Sequence, residues 1–217
     1  MTRLEKLRRR LHKRKANRER KRRHHQGFRA KREARVVRRI REAIRALLRR
    51  GPLVMYDDTS VGLIPSDAKA VAGYVNGNYA TWPDVLRLFP HARHVSIAVT
   101  SGVVADCLDV EPGDAANADA PGWYRAFKRA AAKNKQPHRK PIFYTSTSNA
   151  DALVAELATH GVARHEYKLW LAHYGDGKHI CGPDTCGLCR CKADGTQWTS
   201  TSHGRSLDES YLRPHFL

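Results

Sequence analysis

From residue 52 onward, short apolar runs alternate with segments of helical periodicity. Seven runs read as strands: Leu53–Tyr56, Val71–Val75, Val95–Val99, Cys107–Val110, Ile142–Tyr144, Tyr167–Ala172 and Thr196–Thr199. Between them the pattern predicts a helix over Trp82–Phe89, capped by Thr81 with Pro83 in its first turn. A second is predicted over Ala150–His160, with Ser148 and Asp151 spaced as a capping box. Trp123, Phe127 and Ala130 mark the buried face of a third. Such alternation argues an α/β fold with mainly parallel strands. Seven strands in so short a stretch predict a reduced, irregular TIM-like β/α barrel, with its chemistry at the carboxyl ends of the strands.

The first 50 residues are patterned differently. Val36, Val37, Ile40, Ile44, Leu47 and Leu48 recur at three- and four-residue spacing and predict a helix from about 31 to 50, while Leu4, Leu7 and Leu11 start a weaker stripe. Residues 12–26, which include His24 and His25, are almost wholly polar and cannot build a core. Gly51-Pro52 is a local stop signal, so the expected division is a basic helical arm over 1–50 and a barrel over 51–217.

Charge sharpens that division. The chain of 217 residues carries a formal charge of +19. Residues 1–50 hold 23 Lys/Arg against four Glu, and residues 51–217 hold 17 Lys/Arg against 17 Asp/Glu. The whole excess therefore sits on the arm, where it would attract polyanions: nucleic acid, anionic lipid headgroups or anionic cell-wall polymers. No stretch approaches the roughly 18 apolar residues of a membrane span. Met1–Lys15 has no apolar core or cleavage site of a secretory signal.

Candidate chemistry lies where strands end. In Leu108-Asp109-Val110-Glu111 the two acids are two positions apart, so extended backbone turns both to one face and Leu108 and Val110 to the other. Adjacent carboxyls repel when both ionise, which leaves a protonated acid beside a carboxylate, the pairing that glycosidic cleavage needs. Asp57 and Asp58 end the first strand, and parallel strands carry both pairs to one rim. Strand alternation turns only one of these two inward: Met55-Tyr56 favours Asp57, and Thr59-Ser60 suits Asp58. Tyr144, Trp170, Tyr174, Gln197 and Trp198 are expected at the same rim, where aromatic faces and fixed polar groups suit a sugar.

Taken in order, these segments resemble the family 25 glycoside hydrolases, the lysozyme-type N-acetylmuramidases, and the related glycoside-hydrolase-like domains of actinobacterial and phage lysins. The resemblance covers residues 52–217. It rests on Met55-Tyr56-Asp57-Asp58-Thr59, Ala72-Gly73-Tyr74-Val75-Asn76-Gly77, Leu108-Asp109-Val110-Glu111, Ile142-Phe143-Tyr144-Thr145-Ser146, Leu169-Trp170-Leu171-Ala172-His173-Tyr174, and Asp194-Gly195-Thr196-Gln197-Trp198-Thr199 followed by Asp208. It implies that Glu111 is the general acid, that Asp109 orients water or the substrate's acetamido group, and that the first-strand Asp and Asp208 complete an acidic groove. Tyr74, Tyr144, Trp170, Tyr174, Gln197 and Trp198 would line it.

The implied protein is an endolysin that cleaves the β-1,4 bond between N-acetylmuramic acid and N-acetylglucosamine. It would need no cofactor, hold glycan strands in the barrel and the anionic envelope on the arm, and wait in the host cytoplasm until lysis admits it to the wall. Only about 52 positions separate Asp57 from Asp109, so some barrel helices are expected to be trimmed and the groove shallow. The alternative is a non-catalytic virion, wall-binding or nucleic-acid-binding protein on the same barrel.

Four cysteines crowd into Cys181, Cys186, Cys189 and Cys191, with His179 just before and Asp184 inside. They predict either a Zn²⁺ site of those four thiolates or local disulfides, Cys181–Cys186 first among them. Cys107 is expected to be a buried strand residue and no ligand.

Overall fold

The computed structural model describes residues 35, 36, 38, 51–187 and 192–217. Of the expected arm helix, Arg35, Val36 and Arg38 are described, and they are helical and exposed. The rest of that helix, the Leu4, Leu7 and Leu11 stripe, the polar run and His24-His25 lie outside the described residues.

Gly51–Leu217 forms a unit of its own, built on eight strands that close into a barrel in sequence order. They are β1 (Leu53–Asp57), β2 (Ala70–Tyr74), β3 (Arg93–Ala98), β4 (Cys107–Asp109), β5 (Ile142–Ser146), β6 (Lys168–Ala172), β7 (Gly195–Thr199) and β8 (Asp208–Leu212). Neighbours from β1 to β7 run parallel, while β8 is antiparallel to both β7 and β1. The seven expected strands all occur, with ends shifted by a residue or two. The eighth escaped the sequence reading because Asp208-Glu209-Ser210 carries no apolar run.

Three α-helices are described on the unit: α1 (Trp82–Leu88), α2 (Ala120–Lys133) and α3 (Thr147–Thr159). The outer ring is thus trimmed. Thr81 does not cap α1 with its side chain, and its hydroxyl instead accepts the Tyr74 backbone N–H at 3.1 Å. The capping box expected at Ser148 does not form, because the backbone turns helical at Thr147 with Ser146 as cap and Ser148 inside the first turn. On α2, Ala131 takes the buried position expected of Ala130.

Period-two alternation sorts each strand between two cores. Met55, Ala72, Ile97, Cys107, Tyr144, Trp170 and Leu212 fill the barrel interior, with Phe216 joining them. Leu108, Phe143, Leu169 and Leu171 face outward and pack with Trp123 and Phe127 of α2 and Leu153 and Leu157 of α3. Val71 packs with Val85 and Phe89 on and beside α1. The close approach of α1 explains Gly73: a Cβ there would lie 2.7 Å from Val85 Cγ2. Among the described residues no helix is long and apolar enough to cross a membrane.

Candidate active site

Four carboxylates are delivered to one rim by three strands. Asp57 ends β1 and Asp109 ends β4. Asp208 begins β8, and because β8 runs against the others, its first residue reaches the rim where their last residues lie. In register, Asp208 sits directly opposite Asp57. Glu111 lies two residues past Asp109. Val110 extends the ladder by donating its N–H to Tyr144 O, and the Glu111–Asp114 turn then closes with Gly113 at φ 99°.

Burial separates the four. Asp57 and Asp109 are each 3% exposed, whereas Glu111 and Asp208 are only partly covered. Asp57 Oδ1 and Asp109 Oδ1 are buried without a hydrogen-bond partner in the protein, a costly arrangement that native folds keep to a minimum. Burial, then the neighbouring charges of Glu111 and Asp114, pushes Asp109 up to about 8. Burial, followed by Asp208, Asp109 and Asp58, raises Asp57 well above the usual carboxylate range. Burial also carries Asp208 to about 6, against a hydrogen bond from Gln197 that favours its charge. Glu111 is raised by burial and by the charges of Asp114 and Asp208. Neutral carboxyls are therefore retained at the bottom of the site near pH 7.

Tyrosines ring the acids. Tyr74 and Tyr144 are raised by burial and then by charges that include both Asp57 and Asp109, and Tyr174, pushed up to about 12, senses Asp208, Asp57 and Glu111. Tyr144 donates to Gln197 Oε1, which ties β5 to β7, and Gln197 and Tyr174 stand close enough to Asp208 and Tyr144 to influence their charge. Two clefts meet at Gly113 and Asp114. One, about 360 Å³, is lined by Tyr74, Asn76, Tyr79 and Thr100; the other, about 530 Å³, by Glu111, Asn117, Ser146 and Asn149.

Several expected site residues sit elsewhere. Asp58 follows the last residue of β1 and its Oδ1 accepts the Ser60 N–H, so it stands beside the site, where its charge reaches Asp57 and Asp208, while alternation from the inward Met55 makes Asp57 the first-strand acid. Trp170 is core: it is 1% exposed, packs on Tyr144 and Phe216, and donates Nε1–H to Ser210 Oγ at 2.9 Å. Trp198 lies on the opposite strand face from Gln197, where it donates to Glu209 beside Lys178. Asp114 was missed as a contributor, although it stands three residues after Glu111 and influences both Glu111 and Asp109.

The cysteine loop also differs from expectation. Cys181 and Cys186 are not disulfide-bonded to each other, and their sulfurs share one cluster with two histidines. Among the described residues His173, His179, Cys181 and Cys186 bring one ligand atom each to within 4.8 Å of one another. Cys189 and Cys191, the other half of the expected four-thiolate set, lie outside the described residues. Nothing in the periodicity flagged His173, which directly follows β6. Cys107 is fully buried on β4, as its strand pattern predicts.

No protein-family model and no curated protein matches the chain. Among solved structures, similarity is found to the Clostridium perfringens spore cortex lytic enzyme SleM, at 13% identity and a TM-score of 0.44, over 76% of this chain and 68% of that one. It is also found to an uncharacterized B. stearothermophilus protein, at 11% identity and a TM-score of 0.46, over 74% and 95%.

Proposed function

We propose that Gly51–Leu217 is a peptidoglycan hydrolase of the muramidase type, cleaving the β-1,4 bond between N-acetylmuramic acid and N-acetylglucosamine. The observation that carries this reading is the pair of buried, unpartnered carboxyl oxygens on Asp57 and Asp109 beneath the more accessible Glu111. Acids buried so close, and raised first by that burial and then by neighbouring carboxylates, retain protons near neutrality and have one to give.

In the proposed mechanism Asp109 and Glu111 titrate as a pair. The shared proton rests on the more buried Asp109 and passes to Glu111 once substrate is bound, and Glu111 donates it to the leaving glycosidic oxygen. Asp109, left anionic, then supports the developing oxocarbenium centre through water or the substrate's acetamido group. Asp57 and Asp208 accept hydrogen bonds from sugar hydroxyls, and the Tyr144–Gln197 link orients Asp208. Tyr74 and Tyr174 offer ring faces to the sugar's C–H surface.

Residues 1–50, with all of the net positive charge, would hold the enzyme on the anionic envelope, as in an endolysin. The deciding experiment is mass analysis of the sugar fragments released from purified peptidoglycan by the full chain. Fragments ending in reducing N-acetylmuramic acid are expected. Glycan that is bound but never shortened would replace this reading with a non-catalytic wall-binding one.

A further inference from the structure

We infer that His173, His179, Cys181 and Cys186 form a Zn²⁺ site that staples the connection between β6 and β7. His173 Nδ1 lies 2.9 Å from His179 Nε2, and both nitrogens lie 3.3 Å from Cys181 Sγ. Zn²⁺ bound at about 2.0–2.1 Å to nitrogen and 2.3 Å to sulfur holds its tetrahedral ligands roughly 3.3–3.8 Å apart, so His173, His179 and Cys181 already stand near that spacing, and the Cys186 sulfur, within 4.8 Å of the others, closes the fourth side by up to about an ångström of movement.

The outer nitrogens support this assignment. His179 Nδ1 is 2.8 Å from Gly177 O and donates to it, while His173 Nε2 faces Asp176 Oδ2 at 3.4 Å. With the His179 ring proton on Gly177 O, its Nε2 presents a lone pair inward; His173 Nδ1 hydrogen-bonds to it at 2.9 Å, and a cation would take the place of that proton once the His173 proton moves to Nε2 beside Asp176. A carboxylate or backbone carbonyl behind each ring is the usual support of a zinc-bound histidine. Two sulfurs and two imidazoles select Zn²⁺ over Mg²⁺ or Ca²⁺, which prefer oxygen. On binding, Cys181 and Cys186 lose their thiol protons to solvent.

The surrounding chain presents these ligands. Cys181 is fully buried and its N–H donates to Thr196 Oγ1 of β7 at 2.8 Å, while a turn in which Cys186 N donates to Gly182 O brings the second sulfur back. Residues 173–194 carry no α-helix or strand among those described, so the metal would add a cross-link to the packing that Ile180, Cys181, Cys186 and Ala193 make against the outer core. Tyr174 adjoins His173, which makes the staple a support for one wall of the acidic site. The assignment stands whether or not that site cleaves glycan.

The test uses the full chain purified under reducing conditions without chelator. About one zinc per chain is expected by elemental analysis. Exchange with Co²⁺ should give the intense visible bands and thiolate charge transfer of a tetrahedral S₂N₂ site. His179→Gln and Cys186→Ser should each cut metal occupancy at least tenfold, while the Cys189→Ser/Cys191→Ser double variant keeps it. Should the single variants fold poorly, the cobalt spectrum of the wild type still decides. The assignment is overturned by wild type that holds less than a tenth of an equivalent after zinc reconstitution, by a weak octahedral cobalt spectrum, by a Cys181–Cys186 disulfide in the mass of the reduced preparation, or by zinc loss in the double variant.

Discussion

Asp57 and Asp208 are direct register partners across the antiparallel β1–β8 pair. Directly opposed residues carry their Cβ atoms about 4.5–5.5 Å apart on one face of a sheet, so two carboxyls stand side by side at the rim. The other six neighbouring strand pairs of β1–β7 are parallel and offset. The reversal of the last strand is therefore what supplies the fourth acid, and the stability and activity of the protein should both register it.

Stability is expected to fall as pH rises. Asp109 titrates near 8 in the fold against an ordinary 3.8, so the native state holds a proton that the unfolded chain releases. Its contribution is complete below about pH 4 and is lost as pH climbs through 8, on the order of 5 kcal/mol if it titrated alone. Urea unfolding of Asp109→Asn from pH 4 to 8 should show a much flatter decline than wild type, and an equally steep one would contradict the burial of this carboxyl.

Glu111→Gln keeps the shape and hydrogen-bonding reach of the side chain but cannot donate an acidic proton. Turbidity clearance of a wall suspension is expected to drop at least 100-fold, while sedimentation with insoluble glycan is retained. Because Glu111 is raised by burial and then by the charges of Asp114 and Asp208, the alkaline limb of wild-type activity should lie above that of an isolated glutamate. Removing Asp114, one of those neighbours, should move that limb to lower pH.

Gly73→Ala places a methyl 2.7 Å from Val85 Cγ2, between β2 and α1. A destabilisation of roughly 1–3 kcal/mol is expected from overpacking, read as a lower denaturation midpoint. The double variant Gly73→Ala/Val85→Ala should recover part of it, since the second change removes the clashing atom.

Trp170→Ala should act on the fold and not on ligand affinity. Its ring fills the barrel interior against Tyr144 and Phe216, so a loss of about 3–5 kcal/mol is expected. Trp170→Phe, which stays folded but strands Ser210, should bind glycan like the wild type in a pull-down.

Removing residues 1–50 deletes all of the net charge. Binding to anionic wall polymer should weaken strongly at low salt and little at high salt, with a flattened dependence on ionic strength. An unchanged slope would show that the arm does not mediate adhesion.

Period-two patterning was enough to place seven strands, to put Asp109 on the face opposite Leu108, and to mark Cys107 as core, because a strand's alternation is a local property of the chain. It could not choose between Asp57 and Asp58 until Met55 was seen to face the barrel interior, which makes Asp57 the inward residue. The polar β8 was invisible, since its strand character comes from pairing on both edges and not from its own side chains. Trp170 and Trp198 read as rim aromatics, yet depth along the barrel and side of the strand sent one into the core and the other to the outer face.

What the chain alone determined is the alternation of elements, the segregation of charge onto residues 1–50 and the place of Asp109 at the end of a strand with Glu111 two residues on. Tertiary structure decided which acids meet, which aromatics stand beside them, and that His173 and His179 join Cys181 and Cys186. Those outcomes depend on barrel closure and on the return path of a loop, contacts between residues far apart in sequence that no local periodicity encodes.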